Sequence, residues 1–269
     1  MRQPHLSRIG AVDLADLAAI CLSQGRDGLP FPLFATPLRT TEAAGFSAPD
    51  GIATGDMGAI WKWADAWTRA DIWLECRVGH TDRTIADTRI VACRTGELGY
   101  LGIQRPEEPI VDAYTLSAYE LGSAVAHSVG LTKPGKRSQI TVPGYDGRIP
   151  GSSRPLPGSA DAHDEDDAHY SKSVLSSGRV ARRSSTAAIV DADVTATGVV
   201  QSRCKPARSW GIDWTAALVT WVQIADDGDY LYTREQTHAT PAGPDDLSAR
   251  IDRLIAADIA ALRNARGLT

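Results

Sequence analysis

The sequence has no apolar run that could cross a bilayer. Its most apolar stretch, Ala216 to Val222, is broken by Thr220 and is far shorter than the roughly 20 residues a spanning helix needs. It has no C-x-x-C pair either. The four cysteines, Cys21, Cys76, Cys93 and Cys204, are scattered, which spells out neither a zinc site nor a thioredoxin-type motif and predicts reduced, mostly buried thiols. Positive charge is not in excess: the formal net charge is −5, so there is no electrostatic footprint for phosphate backbones or anionic lipid, and neither nucleic acid nor membrane insertion is expected. Met1-Arg2-Gln3-Pro4-His5 is followed by no apolar core of a secretory signal, which predicts a cytoplasmic location. A G-x-S-x-G elbow, a dinucleotide fingerprint and a kinase signature are all missing.

What is present is ordinary globular material. With 269 residues, 43% hydrophobic and 23% charged, the chain can bury a sizeable core, as one large unit or as two similar halves. Leu14, Leu17, Ala18 and Cys21 fall on one face of a helix that begins near Asp13. Pro30 to Pro37 is bracketed by prolines and reads as an edge strand or extended connector. Met57 to Thr68 reads as a helix rich in tryptophan. From Asp71 the period becomes two, and Ile72, Leu74, Cys76 and Val78 mark a half-buried strand. Arg89 to Cys93, Leu98 to Gln104 and Ile110 to Tyr114 are further strands, the first two joined by a turn at Thr95-Gly96. Leu116 to Val129 is then helical and ends at Gly130.

The second half repeats this plan. Ala187 to Thr195, Gly198 to Cys204, Trp210 to Trp214, Leu218 to Ile224 and Tyr230 to Arg234 read as strands, and Pro244 opens a long amphipathic helix carrying Leu247, Ile251, Leu254, Ile255, Ile259 and Leu262. An offset of about 130 residues lays Tyr100-Leu101 over Tyr230-Leu231, Thr115 over Asp245, and Leu121 and Val125 over Ile251 and Ile255. Two copies cannot form a solenoid, so the expected solution is one sheet built from both halves about an approximate two-fold axis. Between them Lys133 to Arg183 is rich in Pro, Gly, Ser, Asp and His, with Ile140-Thr141-Val142 a brief strand and Asp166 to Leu175 a weak helix; this segment is predicted to be the most mobile.

Two stretches approach known chemistry without reaching it. Gly130-Leu131-Thr132-Lys133-Pro134-Gly135-Lys136-Arg137 nearly spells a phosphate-binding loop. Arg137 stands where a hydroxyl should hold Mg²⁺, Pro134 removes a donor, and the helix precedes the loop instead of following it, so a plain connector is expected. His163-Asp164-Glu165-Asp166-Asp167-Ala168-His169 gathers candidate ligands, but at neither H-E-x-x-H nor EF-hand spacing, and a solvated acidic loop is expected, with no metal site. Of the seven tryptophans, most are expected in the core; Trp210, Trp214 and Trp221 are read as strand residues able to serve a docking surface.

Four features together, in this order, resemble the EspG family of ESX (type VII) secretion-associated proteins. They are Leu14 to Leu22 followed by Leu29-Pro30-Phe31-Pro32-Leu33; the Arg69 to Val78 strand; Arg89 to Arg94 turning into Gly99-Tyr100-Leu101-Gly102-Ile103; and Val222 to Leu231 leading to Thr240-Pro241 and the last helix. The resemblance spans nearly the whole chain.

It implies an α+β fold, residues 1–269 as a single EspG-like domain with halves 1–132 and 138–269: a central antiparallel β-sheet with pseudo-two-fold symmetry, flanked by N-terminal and C-terminal helical bundles. It implies a cytosolic chaperone that binds the PPE subunit of a PE–PPE heterodimer, keeps it soluble and delivers it to its secretion system, with no cofactor, no catalytic residue and at most a weak homodimer. By family position the contacts fall on Thr95, Gly96 and Glu97, on Tyr170, Val174 and Leu175, and on Trp214 in support. The Thr95-Gly96-Glu97 loop is shorter than in several relatives, Leu38 to Gly55 looks shortened, and Ser159 to Arg182 is unusually polar. Read from residues alone, two other classes stay open: a small hydrolase or ligand-binding enzyme using the His163–His169 cluster, and a structural subunit of the secretion complex.

Overall fold

In the computed structural model, residues 3–26, 28–34, 54–55, 57–141, 187–188, 193–204, 211–233, 236 and 238–267 are described. In chain order the elements are β1 (Ser7–Asp13), α1 (Leu14–Ser23), β2 (Thr54–Gly55), α2 (Met57–Arg69), β3 (Ile72–His80), β4 (Thr88–Thr95), β5 (Leu98–Gln104) and β6 (Ile110–Ser117). A 3-10 turn (Ala118–Glu120) leads into α3 (Leu121–Ser128), followed by β7 (Ile140–Thr141), β8 (Ala187–Ala188), β9 (Val194–Arg203), β10 (Leu218–Ile224), β11 (Gly228–Tyr232), β12 (Thr240–Pro241) and α4 (Pro244–Ala265).

Ten strands form one sheet in the order β12-β11-β10-β9-β3-β4-β5-β6-β1-β2, and every neighbouring pair is antiparallel. β7 and β8 pair separately and in parallel. The central pair, β3 with β9, joins the two halves in register from Trp73↔Arg203 to His80↔Ala196. On either side of it the same succession recurs: β3-β4-β5-β6 then α3, and β9-β10-β11-β12 then α4. The repeat read from the sequence is thus an α+β fold about one antiparallel sheet. Leu101 and Leu231 both lie in the core on the α3–α4 face, with Leu121, Val125, Ile251 and Ile255. Thr115 does not match Asp245 structurally, because β6 continues through it to Ser117 while Asp245 lies in the first turn of α4.

Both faces of the sheet's centre are covered, which corrects the half-buried reading of β3. Ile72, Leu74, Cys76 and Val78 pack with α3 and α4. Trp73 packs on the other face with Trp63 and Trp67 of α2 and Leu14, Leu17 and Ile20 of α1. A strand covered on both faces has no solvent side on which alternation can show. Each large side chain buried here contributes about 1.5–3 kcal/mol relative to exposure. Trp63 and Trp67 meet edge-on at 4.2 Å between centroids, Trp67 and Trp73 at 5.6 Å, and the Trp63 indole N–H donates to the Leu101 carbonyl at 3.1 Å. The expectation that most tryptophans serve the core holds for Trp63, Trp67, Trp73 and Trp221.

Other elements depart from their sequence reading for local reasons. β1 was not foreseen: Ser7–Asp13 carries little periodicity of its own and is a strand because β6 pairs with it. Asp13 then caps α1, its carboxylate accepting the Ala15 N–H at 2.7 Å. Phe31 to Phe34 is connector, not strand. The helix expected from Leu116 starts later, since Leu116 and Ser117 end β6 and Ser117 Oγ accepts the Tyr119 N–H. The two strands expected over Ala187–Thr195 and Gly198–Cys204 are the short β8 and the continuous β9. Gly198, read as a strand start, is interior because the Trp221 indole lies over it; a Cβ there would stand 2.0 Å from ring carbons. Gly211 to Ala217 is loop and turn, so Trp214 is not a strand residue, and Trp210 lies outside the described residues. Its turn is made by Asp213, whose carboxylate accepts both the N–H and the hydroxyl of Thr215. The Asp166–Leu175 helix and the His163–His169 cluster also lie outside the described residues.

Candidate partner-binding surface

The strand registers decide which loops meet. Arg94 pairs with Ile72, Trp73 with Arg203, and Gln201 with Leu218. The end of β4, the start of β3, the end of β9 and the start of β10 therefore share one end of the sheet. This brings Thr95-Gly96-Glu97 and Trp214 to the same rim, three strand spacings apart, or about 14 Å. Sequence had offered no reason for that proximity across more than a hundred residues. Tyr170, Val174 and Leu175 lie outside the described residues.

The hairpin is held from two sides. The Thr95 hydroxyl donates to the Ala66 carbonyl of α2 at 3.3 Å, and the Glu97 carbonyl accepts the Ala118 N–H at 3.1 Å. Beside it Arg94 and Asp71 pair at 2.7 Å, which holds the Arg94 guanidinium above its ordinary range. Next to the turn two large apolar side chains stand in solvent, Leu98 at 55% exposure and Tyr119 at 82%. Leu98 opposes Ser117 in the β5–β6 ladder and shares the α2 side of the hairpin with Thr95, whereas Tyr119 stands near Arg94; the two are separate exposed apolar side chains at this end of the sheet. Sequence reasoning missed both. The usable signal was an apolar residue at a turn exit, where no core helix can reach it.

Below the start of β10 the rim continues as a groove of about 660 Å³ between Trp214–Val219 and α4. Trp214 is half-buried against Val199, Leu218 and Ile212. Arg250, Arg253 and Leu254 form the opposite wall.

At the other end of the sheet the near-phosphate loop has a definite occupant. The Asp229 carboxylate accepts the Thr132 N–H at 2.6 Å, Asp227 accepts the Lys136 N–H at 2.6 Å, and the Asp227 carboxylate also accepts the Tyr230 hydroxyl at 2.9 Å. The Tyr230 oxygen takes the Arg137 N–H at 3.0 Å. Backbone donors that would cradle a phosphate are thus used by the protein's own anions. Burial raises the Asp229 carboxyl despite Thr132; burial acts the same way on Asp227, but the Lys136 N–H, the Tyr230 hydroxyl and Arg137 outweigh it and hold that carboxyl below its ordinary range. Gly135 is required by contact, since a Cβ would fall 2.0 Å from the Tyr230 ring. The stretch from Lys133 to Thr141, expected to begin a mobile segment, is tied down at Asp229 and, through Ile140, at Ala239.

Elsewhere the described residues show no cluster of three or more His, Cys, Asp or Glu able to hold a metal ion, and no described helix is long and apolar enough to cross a membrane. None of the four cysteines forms a disulfide. The described residues thus form a wide antiparallel sheet with helices on both faces and large apolar side chains exposed at one end. The chain belongs to the EspG family, whose model matches residues 51–253. It is similar in fold to EspG5, the type VII secretion system chaperone of Mycobacterium tuberculosis, solved in complex with the PE25-PPE41 dimer: 9% identity, 93% of this chain and 96% of that chain covered, TM-score 0.51. No curated protein matches.

Proposed function

We propose that this protein is a cytosolic specificity chaperone that binds the PPE subunit of a PE–PPE heterodimer, keeps the pair soluble and delivers it to an ESX type VII secretion system. The observation that carries the reading is the family match over residues 51–253. The fold shared with EspG5, whose solved complex contains a PE–PPE dimer, supports it. In this reading residues 1–269 act as one unit with halves 1–132 and 138–269, and binding needs no cofactor, metal or catalytic group.

Cargo contacts the rim at Thr95, Gly96, Glu97 and Trp214, with Leu98 and Tyr119 supplying apolar area, and Tyr170, Val174 and Leu175 contributing from outside the described residues. Interfaces gain most of their energy from a few well-packed aromatic and aliphatic side chains, and Leu98 and Tyr119 are the large exposed ones at this end of the sheet. Co-expression with the PE–PPE pairs encoded beside this chain, followed by size-exclusion chromatography, tests it: one pair co-elutes and gains solubility. If every pair elutes alone with unchanged solubility, the reading fails.

A further inference from the structure

The groove beneath β10 has a charge opposite to that of the protein that bears it. The chain carries a formal net charge of −5, yet no residue lining the groove is acidic and two are arginines. Arg250 and Arg253 sit three residues apart on α4 and so share a face.

The acids nearest them are engaged elsewhere. Asp246 accepts the Gly243 N–H at 2.9 Å at the start of α4, Asp258 accepts the Ser202 hydroxyl at 2.5 Å, and Asp213 is taken up by Thr215. Asp252 faces α3, where it crowds the position a Cβ of Gly122 would take. Arg253 donates Nε to the Ala249 carbonyl of its own helix at 3.1 Å, and among the described residues neither arginine forms an ion pair.

Of the other lining residues Thr215 and Thr233 are polar, while the half-buried Trp214, Leu218, Val219 and Leu254 are apolar. We infer that this groove receives a short acidic segment of a partner protein, with carboxylates on Arg250 and Arg253 and an apolar side chain against Trp214 and Leu254. The apolar half of the lining selects a peptide over a free anion, and the net negative charge of the chain opposes polyanions such as nucleic acid or anionic membranes. A guanidinium pair on a helix presents donors in fixed forks that suit carboxylates. The inference stands on charge and shape and not on which cargo the rim binds.

The test uses the full chain and two fluorescently tagged peptides, one alternating leucine with glutamate and one alternating leucine with glutamine, read by anisotropy. The glutamate peptide binds tighter than the glutamine peptide, its affinity falls as salt is raised, and R250Q/R253Q weakens it roughly three- to tenfold while leaving the glutamine peptide unchanged. Arg253 is exposed and Arg250 half-buried, so the variant folds, which circular dichroism and Tm check; R253Q alone, on the exposed position, gives a smaller loss in the same direction. Equal binding of the two peptides overturns the inference, as does a double variant that binds like the parent. Inorganic phosphate displacing the peptide stoichiometrically, anionic vesicles binding in its place, or a dimer of the chain that R250Q/R253Q dissociates would each assign the groove to another occupant and overturn it too.

Discussion

Glu75 and Arg203 lie diagonally across the β3–β9 seam, Oε2 to Nη2 at 3.3 Å, and the carboxyl is fully buried. Neither Glu75 oxygen has a well-directed hydrogen bond, and Arg203 Nε is also unpaired. This ionic contact between β3 and β9 is therefore under-satisfied, and a buried charge in that condition is costly.

Burial pushes the Glu75 carboxyl from 4.5 up to about 7, against the opposing pull of Arg203. The folded state thus holds this proton more tightly than the unfolded chain, and stability falls as pH rises between those two values, by about 3 kcal/mol from this group alone. Urea unfolding of the parent and of Glu75→Gln across that range checks the sign. The parent loses stability relative to the variant as pH rises, and a difference that stays constant or grows in the parent's favour refutes the assignment.

Gly198→Ala places a Cβ 2.0 Å from the Trp221 ring at the middle of β9. The indole is locked between β9 and α4-side core residues, so the expected loss is about 1–3 kcal/mol, read as a lower urea midpoint. A neutral result would show that the ring can move aside.

Mg²⁺ with ATP leaves the Tm unchanged, because Asp227 and Asp229 occupy the backbone donors of the Thr132–Lys136 loop. Asp229→Ala strips the Thr132 N–H of its acceptor and costs about 1–3 kcal/mol. A nucleotide-dependent rise in Tm would overturn this account of the loop.

Leu98→Asp and Tyr119→Ala leave the stability of the free protein within about 0.5 kcal/mol of the parent in urea unfolding, as substitutions at exposed positions do. Each weakens the co-eluting PE–PPE complex by about 2 kcal/mol or more if the rim is its centre. Unaltered affinity in calorimetry for both would move the interface off these two residues.

With a thiol reagent under native conditions Cys204 reacts first. It is half-buried, with Sγ 3.4 Å from the Asp258 carbonyl, whereas burial pushes the Cys21 thiol up to about 11 and raises Cys76 and Cys93 as well. The thiolate is the reactive form, so these three wait for unfolding. Rapid labelling of Cys76 or Cys93 would contradict the packing of β3 and β4.

Local patterning carried much of the fold. The alternation of β4 and β5, the capping Asp13 of α1 and the apolar stripe of α4 depend on neighbours three or four residues away, and each was legible. Two kinds of element were not. β1 is a strand only because β6 lies beside it, and β9 hid behind Gly198, whose missing side chain is explained by Trp221 twenty-three positions later. Of the candidate site, the hairpin was named from family position and Trp214 was mistaken for a strand residue; Leu98, Tyr119, Arg250 and Arg253 were not foreseen, since exposure depends on what the rest of the chain leaves uncovered.

The amino-acid order by itself determined that this protein folds as two copies of one β-rich plan ending in a helix, because strand alternation and helical stripes are written within a few residues. It also led to the expectation that Gly130 to Arg137 is a plain connector, since Arg137 and Pro134 break the phosphate-loop pattern. Only the tertiary structure decided that β3 and β9 pair at the centre, and with that which loops stand at the same end of the sheet. Register is set by burial on both faces at once, a condition no single segment contains.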